Sequence, residues 1–152
     1  GSGPRHLVFS PNGRYAYLMN ELSGNVIVYS YSDGKLKELQ SIAADNANAR
    51  GGADIHVSPD GMFVYTSTRL KGDGITIFRV GKKGTLTRVG AQLTGKHPRN
   101  FAITPNGNFL LVACRDDNSI QVYSRDKDTG LLKNTHQDIV LSHPVCVKFY
   151  PE

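Results

Sequence analysis

One turn, written three times and begun a fourth, limits what this chain can fold into. Ser10-Pro11-Asn12-Gly13 returns as Ser58-Pro59-Asp60-Gly61 and as Thr104-Pro105-Asn106-Gly107, and Tyr150-Pro151 begins a fourth copy. The prolines stand 48, 46 and 46 residues apart. Proline presets one turn dihedral, the Asn or Asp side chain bonds the backbone ahead of it, and glycine accepts a positive φ. Before each turn, apolar residues alternate: Leu7 and Phe9, Ile55 and Val57, Phe101 and Ile103, Val147 and Phe149. That is the period of a strand, and these residues are expected to pack between the blade sheets. A repeat in the forties carrying four short strands is the mark of a β-propeller.

The spacing therefore predicts an all-β chain of four-stranded antiparallel blades. Blade one is expected to run 5–42, with strands His6–Ser10, Arg14–Asn20, Asn25–Ser30 and Lys35–Ser41. Blade two spans 53–94, with strands Asp54–Ser58, Met62–Thr68, Gly74–Val80 and Leu86–Leu93. Blade three spans 99–138, with strands Asn100–Thr104, Asn108–Cys114, Ser119–Ser124 and Leu131–Gln137. Residues 144–152 start the next blade with an inner strand over Val145–Phe149. The small, polar stretch 43–52 reads as a long inter-blade loop. Three blades and a strand do not close a ring, which takes about four to eight. The expectation is a single, incomplete domain, part of a larger propeller, able to self-associate through exposed blade edges.

Composition excludes several function classes. With 39% hydrophobic and 20% charged residues the chain is globular and not disordered. Its net charge of +5 resides largely at outer hairpins, in residues such as Lys35, Lys37, Lys82 and Lys83. No contiguous basic face with stacking aromatics emerges, so a nucleic-acid partner is not expected. No apolar run approaches the ~20 residues of a membrane helix, so neither is a membrane. Cys114 and Cys146 have neither a CxxC partner nor a histidine at zinc spacing. They read as free thiols, no metal is expected, and the cytoplasm is the expected compartment. Glycine-rich phosphate loops and GxSxG elbows are absent from the sequence, and no cofactor is implied.

The repeat register locates the chemistry instead. In a propeller, the start of each inner strand and the end of its antiparallel neighbour lie at the same mouth of the central channel. Six residues before the turn prolines stand Arg5, Ala53, Arg99 and Val145; five before stand His6, Asp54, Asn100 and Cys146. His56 shares the inner-strand face of Asp54. Ten residues after the prolines stand Glu21, Arg69 and Arg115. Arg5, His6, Glu21, His56, Arg69, Arg99 and Arg115 are thus expected at one mouth. Arginine forks suit phosphate and carboxylate groups, and Glu21, His6 or His56 would serve as general base. Arg115 precedes Asp116-Asp117 and ranks below Arg69 because those carboxylates neutralise it locally.

Gly3-Pro4-Arg5-His6 with Phe9, Tyr15-Ala16-Tyr17 and Asn20-Glu21-Leu22, then Ala53-Asp54-Ile55-His56, Thr68-Arg69 and Pro98-Arg99, resemble the lactonase β-propeller family. The resemblance covers essentially the whole chain and is to the C-terminal half of a seven-bladed bacterial member acting on 6-phosphogluconolactone. It implies metal-free hydrolysis of a small anionic sugar lactone in the central channel. By motif it assigns Glu21, His6 and His56 to catalysis, and Arg5, Arg69 and Arg99 to substrate binding. Asn100 follows Pro98-Arg99 where some relatives differ. This part alone is expected to be weak or inactive. Two other readings use the same cationic mouth: a non-catalytic propeller that holds an anionic metabolite or a protein, and a muconate-type lactonizing cycloisomerase.

Overall fold

The computed structural model describes residues 1–45 and 47–150. Three antiparallel sheets follow one another along the chain. The first joins β1 (Pro4–Phe9), β2 (Tyr15–Asn20), β3 (Asn25–Ser32) and β4 (Lys35–Ala43) in sequence order. The second joins β5 (Gly52–Val57), β6 (Phe63–Thr68), β7 (Gly74–Val80) and β8 (Leu86–Leu93). The third is built from β9 (Pro98–Ile103), β10 (Phe109–Cys114), β11 (Ser119–Arg125) and β12 (Leu132–Asn134), with β13 (Ile139–Val140) also paired to β11. A single 3-10 turn, Arg115–Asp117, links β10 to β11. These are the blades of a β-propeller.

The repeated turn has one mechanism in all three blades. The Ser10 hydroxyl donates to Asn12 Oδ1 at 2.7 Å and accepts the Tyr15 amide at 3.0 Å. Ser58 does the same with Asp60 and the Phe63 amide, and Thr104 with Asn106 and the Phe109 amide. Asn12, Asp60 and Asn106 each also accept the amide two residues on. Gly13, Gly61 and Gly107 take φ near +70°, which a side chain rarely tolerates.

Blades pack face to face through two apolar layers. Tyr17, Met19, Val26 and Val28 meet Ile55, Val64, Phe78 and Leu86 across the first seam. Phe63, Tyr65, Ile75 and Ile77 meet Phe101, Leu110, Val112 and Tyr123 across the second. Every residue of β6 is buried, because blade two is covered on both faces. Polar latches reinforce each seam. Tyr17 donates its hydroxyl to the Gly84 carbonyl of blade two, and Tyr65 donates to Gly130 of blade three. A Cβ at Gly84 would strike the Tyr15 ring, and one at Gly130 the Phe63 ring. Only glycine lets those hairpins approach so closely. In the second seam the buried Arg125 guanidinium also donates to Tyr65 Oη, Asp60 Oδ2 and the Gly107 carbonyl.

Three expectations need correction. The outer strand of blade three is not continuous over Leu131–Gln137: Thr135 turns its amide and hydroxyl onto Val122 O, His136 takes φ 57°, and pairing resumes only at β13. Val145–Phe149 is not a strand, since no described residue forms a ladder with it. Leu7, Phe9 and Phe149 were expected between blades but are exposed, because no described sheet covers their faces. Pro151 and the end of the expected 144–152 segment lie outside the described residues, as does Asn46 of the 43–52 loop, whose other residues form no helix.

Candidate functional site

Each inner strand carries an irregularity at the same repeat position. Between β1 and β2 the pairing steps from Pro4 with Asn20 to His6 with Met19, leaving Arg5 as an extra residue. Arg99 is extra in the same way between β9 and β10, and β5 gains a residue between Gly52 and Ile55. Such bulges redirect side chains. Here they turn the strand starts towards a common trough of about 630 Å³, lined by Arg5, His6, Asp54, His56, Arg99 and Asn100 among others. The Asp54 amide, freed from the ladder by the bulge, donates to Ser67 Oγ at 3.1 Å.

Asp54 is the hub of this trough. Its side chain is 3% exposed. Oδ1 lies 2.6 Å from His6 Nδ1 and accepts the Ile55 amide at 2.9 Å. Oδ2 lies 3.1 Å from His56 Nε2 and accepts from Asn100 Nδ2 and the Phe101 amide. Burial alone would raise its pKa; the bonds from His56, His6 and Phe101 outweigh that and hold it at about 2. It is therefore an anion that ties together residues from three blades. An ionised carboxylate only accepts, so each histidine presents an N–H to it. The free nitrogens are His6 Nε2 and His56 Nδ1. The His56 ring is held edge-on against Phe101, with centroids 4.8 Å apart.

The second-strand ends form a separate layer at the rim. Glu21 lies between two guanidinium groups, accepting from Arg5 Nη1 at 3.1 Å and from Arg69 Nη2. Burial would raise its pKa, but Arg69 and Arg5 more than offset this and hold it below the usual carboxylate range. Arg69 is buried, donates also to the Gly51 and Gly52 carbonyls, and points Nη1 at His97 Nε2, 3.4 Å away. His97 Nδ1 faces Asp116 at 3.4 Å, and Asp116 pairs with Arg115 at 2.7 Å. An alternating chain of charges thus runs along the rim from Arg5 to Arg115. Burial, together with Arg115, Arg69 and Arg99, lowers the His97 pKa.

The structure brings Arg5, His6, His56 and Arg99 together around the trough, as the register implied. Glu21, Arg69 and Arg115 reach the same mouth but pair with neighbouring side chains and do not line the trough. Asp54 was visible as a polar inner-strand residue without any assigned role. Its equivalence with His6 and Asn100 in the repeat was the signal that could have revealed the hub. Lys148, at the trough wall, and His97, in the rim chain, were not anticipated as site residues. Among the described residues, no group of three His, Cys, Asp or Glu side chains is arranged to hold a metal.

Three blades whose inner strands converge on a trough of histidine, arginine and a buried carboxylate define a propeller with a polar central site. The chain belongs to the lactonase, seven-bladed β-propeller family, which matches residues 1–149. It is 47% identical to a 6-phosphogluconolactonase of Formosa agariphila over 93% of this chain and 42% of that protein. With the Bacillus subtilis 6-phosphogluconolactonase it shares 37% identity over 98% of this chain and 44% of the relative. Among solved structures, a Bacteroides fragilis protein provisionally named 6-phosphogluconolactonase superimposes with TM-score 0.98 at 58% identity, covering 99% of this chain and 43% of that one. The periplasmic gluconolactonase of Pseudomonas aeruginosa superimposes with TM-score 0.92 at 35% identity, over 99% of this chain and 43% of that one. The chain thus spans about two fifths of its relatives' length, close to three blades in seven.

Proposed function

We propose that the trough is part of the active site of a lactone hydrolase that opens 6-phosphogluconolactone to 6-phosphogluconate. The observation that carries this reading is the buried Asp54 carboxylate bonded to two histidines that face the trough. The relatives' names supply the substrate class. Asp54 fixes the Nδ1–H tautomer of His6, which leaves Nε2 as a base towards the trough. His6 Nε2 takes a proton from water as the water oxygen attacks the lactone carbonyl. Arg5, held in place by Glu21 and by its bond to the Ala53 carbonyl, stabilises the oxyanion. The ring C–O bond then breaks, and the departing alkoxide takes the proton from His6. His56 shares the same carboxylate and is the second candidate base. Glu21 and Arg69 position Arg5 and the rim; pinned between two cations, Glu21 is a poor base.

Further blades would complete the channel and its substrate contacts. The cytoplasm is the compartment we propose, on the two unpaired thiols Cys114 and Cys146. No helix among the described residues is long and apolar enough to cross a membrane. The test is His6→Gln in the protein at full length, with lactone opening followed by proton release. Removal of a general base costs about 10²–10⁴-fold in kcat. An unchanged kcat with an unchanged pH profile would remove His6 from the mechanism.

A further inference from the structure

Cations at the mouth are not equivalent. Arg5 and Arg69 share the Glu21 carboxylate, and Arg115 pairs with Asp116. Arg5 lines the trough but is engaged with Glu21 and the Ala53 carbonyl, and Arg69 and Arg115 do not line it. Arg99 and Lys148 do line it, and among the described residues neither side chain has a carboxylate or hydrogen-bond partner. Arg99 is placed there by the bulge in β9. Lys148 follows Val147, whose amide donates to Asn100 Oδ1 at 2.7 Å. Asn100 gives its other end to Asp54, so the segment that carries Lys148 is tied to the hub.

The two functions of the trough are therefore spatially divided. The histidine pair lies on blades one and two, around Asp54. The trough-lining cations that have no carboxylate partner among the described residues, Arg99 and Lys148, lie on blade three and the segment after it. A six-carbon sugar lactone phosphorylated at C6 suits this division, because its carbonyl is in the ring and its phosphate hangs on an exocyclic arm, so the two groups need separate, neighbouring subsites. We propose that Arg99 and Lys148 form the phosphate subsite and set the preference for a phosphorylated over an unphosphorylated sugar lactone. The proposal rests on the hydrolase reading only for the orientation of the substrate; the subsite itself is a claim about binding. Arg99 brings a planar fork to two phosphate oxygens and Lys148 a point charge to the third.

Lys148→Gln and Arg99→Gln, made in the protein at full length, test this. Calorimetry would compare 6-phosphogluconate with gluconate, and kinetics would compare 6-phosphogluconolactone with its unphosphorylated counterpart. Each substitution is expected to weaken 6-phosphogluconate about 10- to 100-fold, the loss typical of a charge-assisted hydrogen bond. That loss should exceed the loss on gluconate by about 10-fold or more. Arg99→Lys, which keeps the charge and loses the fork, should fall between wild type and Arg99→Gln. Equal losses on both ligands, or no loss on either, would overturn the subsite. If the wild-type protein binds 6-phosphogluconate but opens neither lactone, the hydrolase reading fails while the binding ratios still decide the subsite. Lys148 is exposed and bears no packing load, so its variant keeps the comparison readable if Arg99→Gln unfolds.

Discussion

Replacing Asp54 with asparagine has an outcome that can be worked out from its bonds. The carboxylate accepts from His6, His56, Asn100 and the amides of Ile55 and Phe101. Despite burial, these partners lower its pKa from 3.8 to about 2. A carboxylate depressed in the folded state contributes stability above its unfolded pKa and loses it as pH falls through the folded one. At about 1.4 kcal/mol per unit, the shift corresponds to about 2 kcal/mol, present above pH ~4 and lost towards pH ~2. Asparagine has the same shape but turns an NH₂ towards either the Ile55 amide or the Phe101 amide. That orphans a buried donor, at about 1–3 kcal/mol. Asp54→Asn is therefore expected to lower the unfolding free energy at pH 7 by about 2–4 kcal/mol. Its gap to the wild type should shrink by about 2 kcal/mol between pH 5 and pH 2. Urea denaturation followed by circular dichroism at a series of pH values measures this. A gap that stays constant over that range refutes the reasoning, because Asp54 would then not be the group whose charge the site stabilises.

Other outcomes follow from the seams and the thiols. Tyr65→Phe breaks bonds to both Gly130 and Arg125 and should cost about 2–3 kcal/mol in denaturant titrations. Tyr17→Phe breaks only the Gly84 bond and should cost about 1 kcal/mol; equal costs would deny Arg125 its part in the seam. Gly84→Ala forces a side chain to φ +75° against Tyr15 and should cost about 1–3 kcal/mol by the same assay. Burial pushes the Cys114 thiol up to about 12, while Cys146 is exposed. A maleimide should label Cys146 in the native protein and Cys114 only after unfolding, which peptide mass mapping would report.

Much of the fold was legible because the turn chemistry repeats with the blade. The Ser/Thr-Pro-Asx-Gly copies marked the strand boundaries to within about two residues for blades one and two. The outer strand of blade three was misjudged because apolar pattern alone does not reveal where a hydroxyl such as Thr135 diverts the backbone. For the site, register placed Arg5, His6, His56 and Arg99 correctly, since position along an inner strand fixes what faces the channel. Sequence adjacency foretold the local pairing of Arg115 with Asp116, but register alone did not settle that Glu21 pairs with both Arg5 and Arg69. That depends on side-chain reach between blades, over sequence separations such as the 48 residues between Glu21 and Arg69. The role of Asp54 was hidden for the same reason: its partners come from three different repeats.

The tyrosine latches give the blades a polarity. Each seam joins the ring of one blade to the hairpin glycine of the next, so the contact is head to tail and its two sides are unlike. In blade one, Gly34 occupies the hairpin place of Gly84 and Gly130, and nothing lies within 4 Å of the space its Cβ would fill. In blade three, Phe109 occupies the place of Tyr15 and Phe63 and is 40% exposed. Three blades thus end in one open socket and one open plug. Heterologous contacts of this kind either close into a ring or propagate. Because seven is not a multiple of three, identical three-blade units cannot tile the family's ring. Copies restricted to these blades would have to strain into six, overshoot to nine, or polymerise.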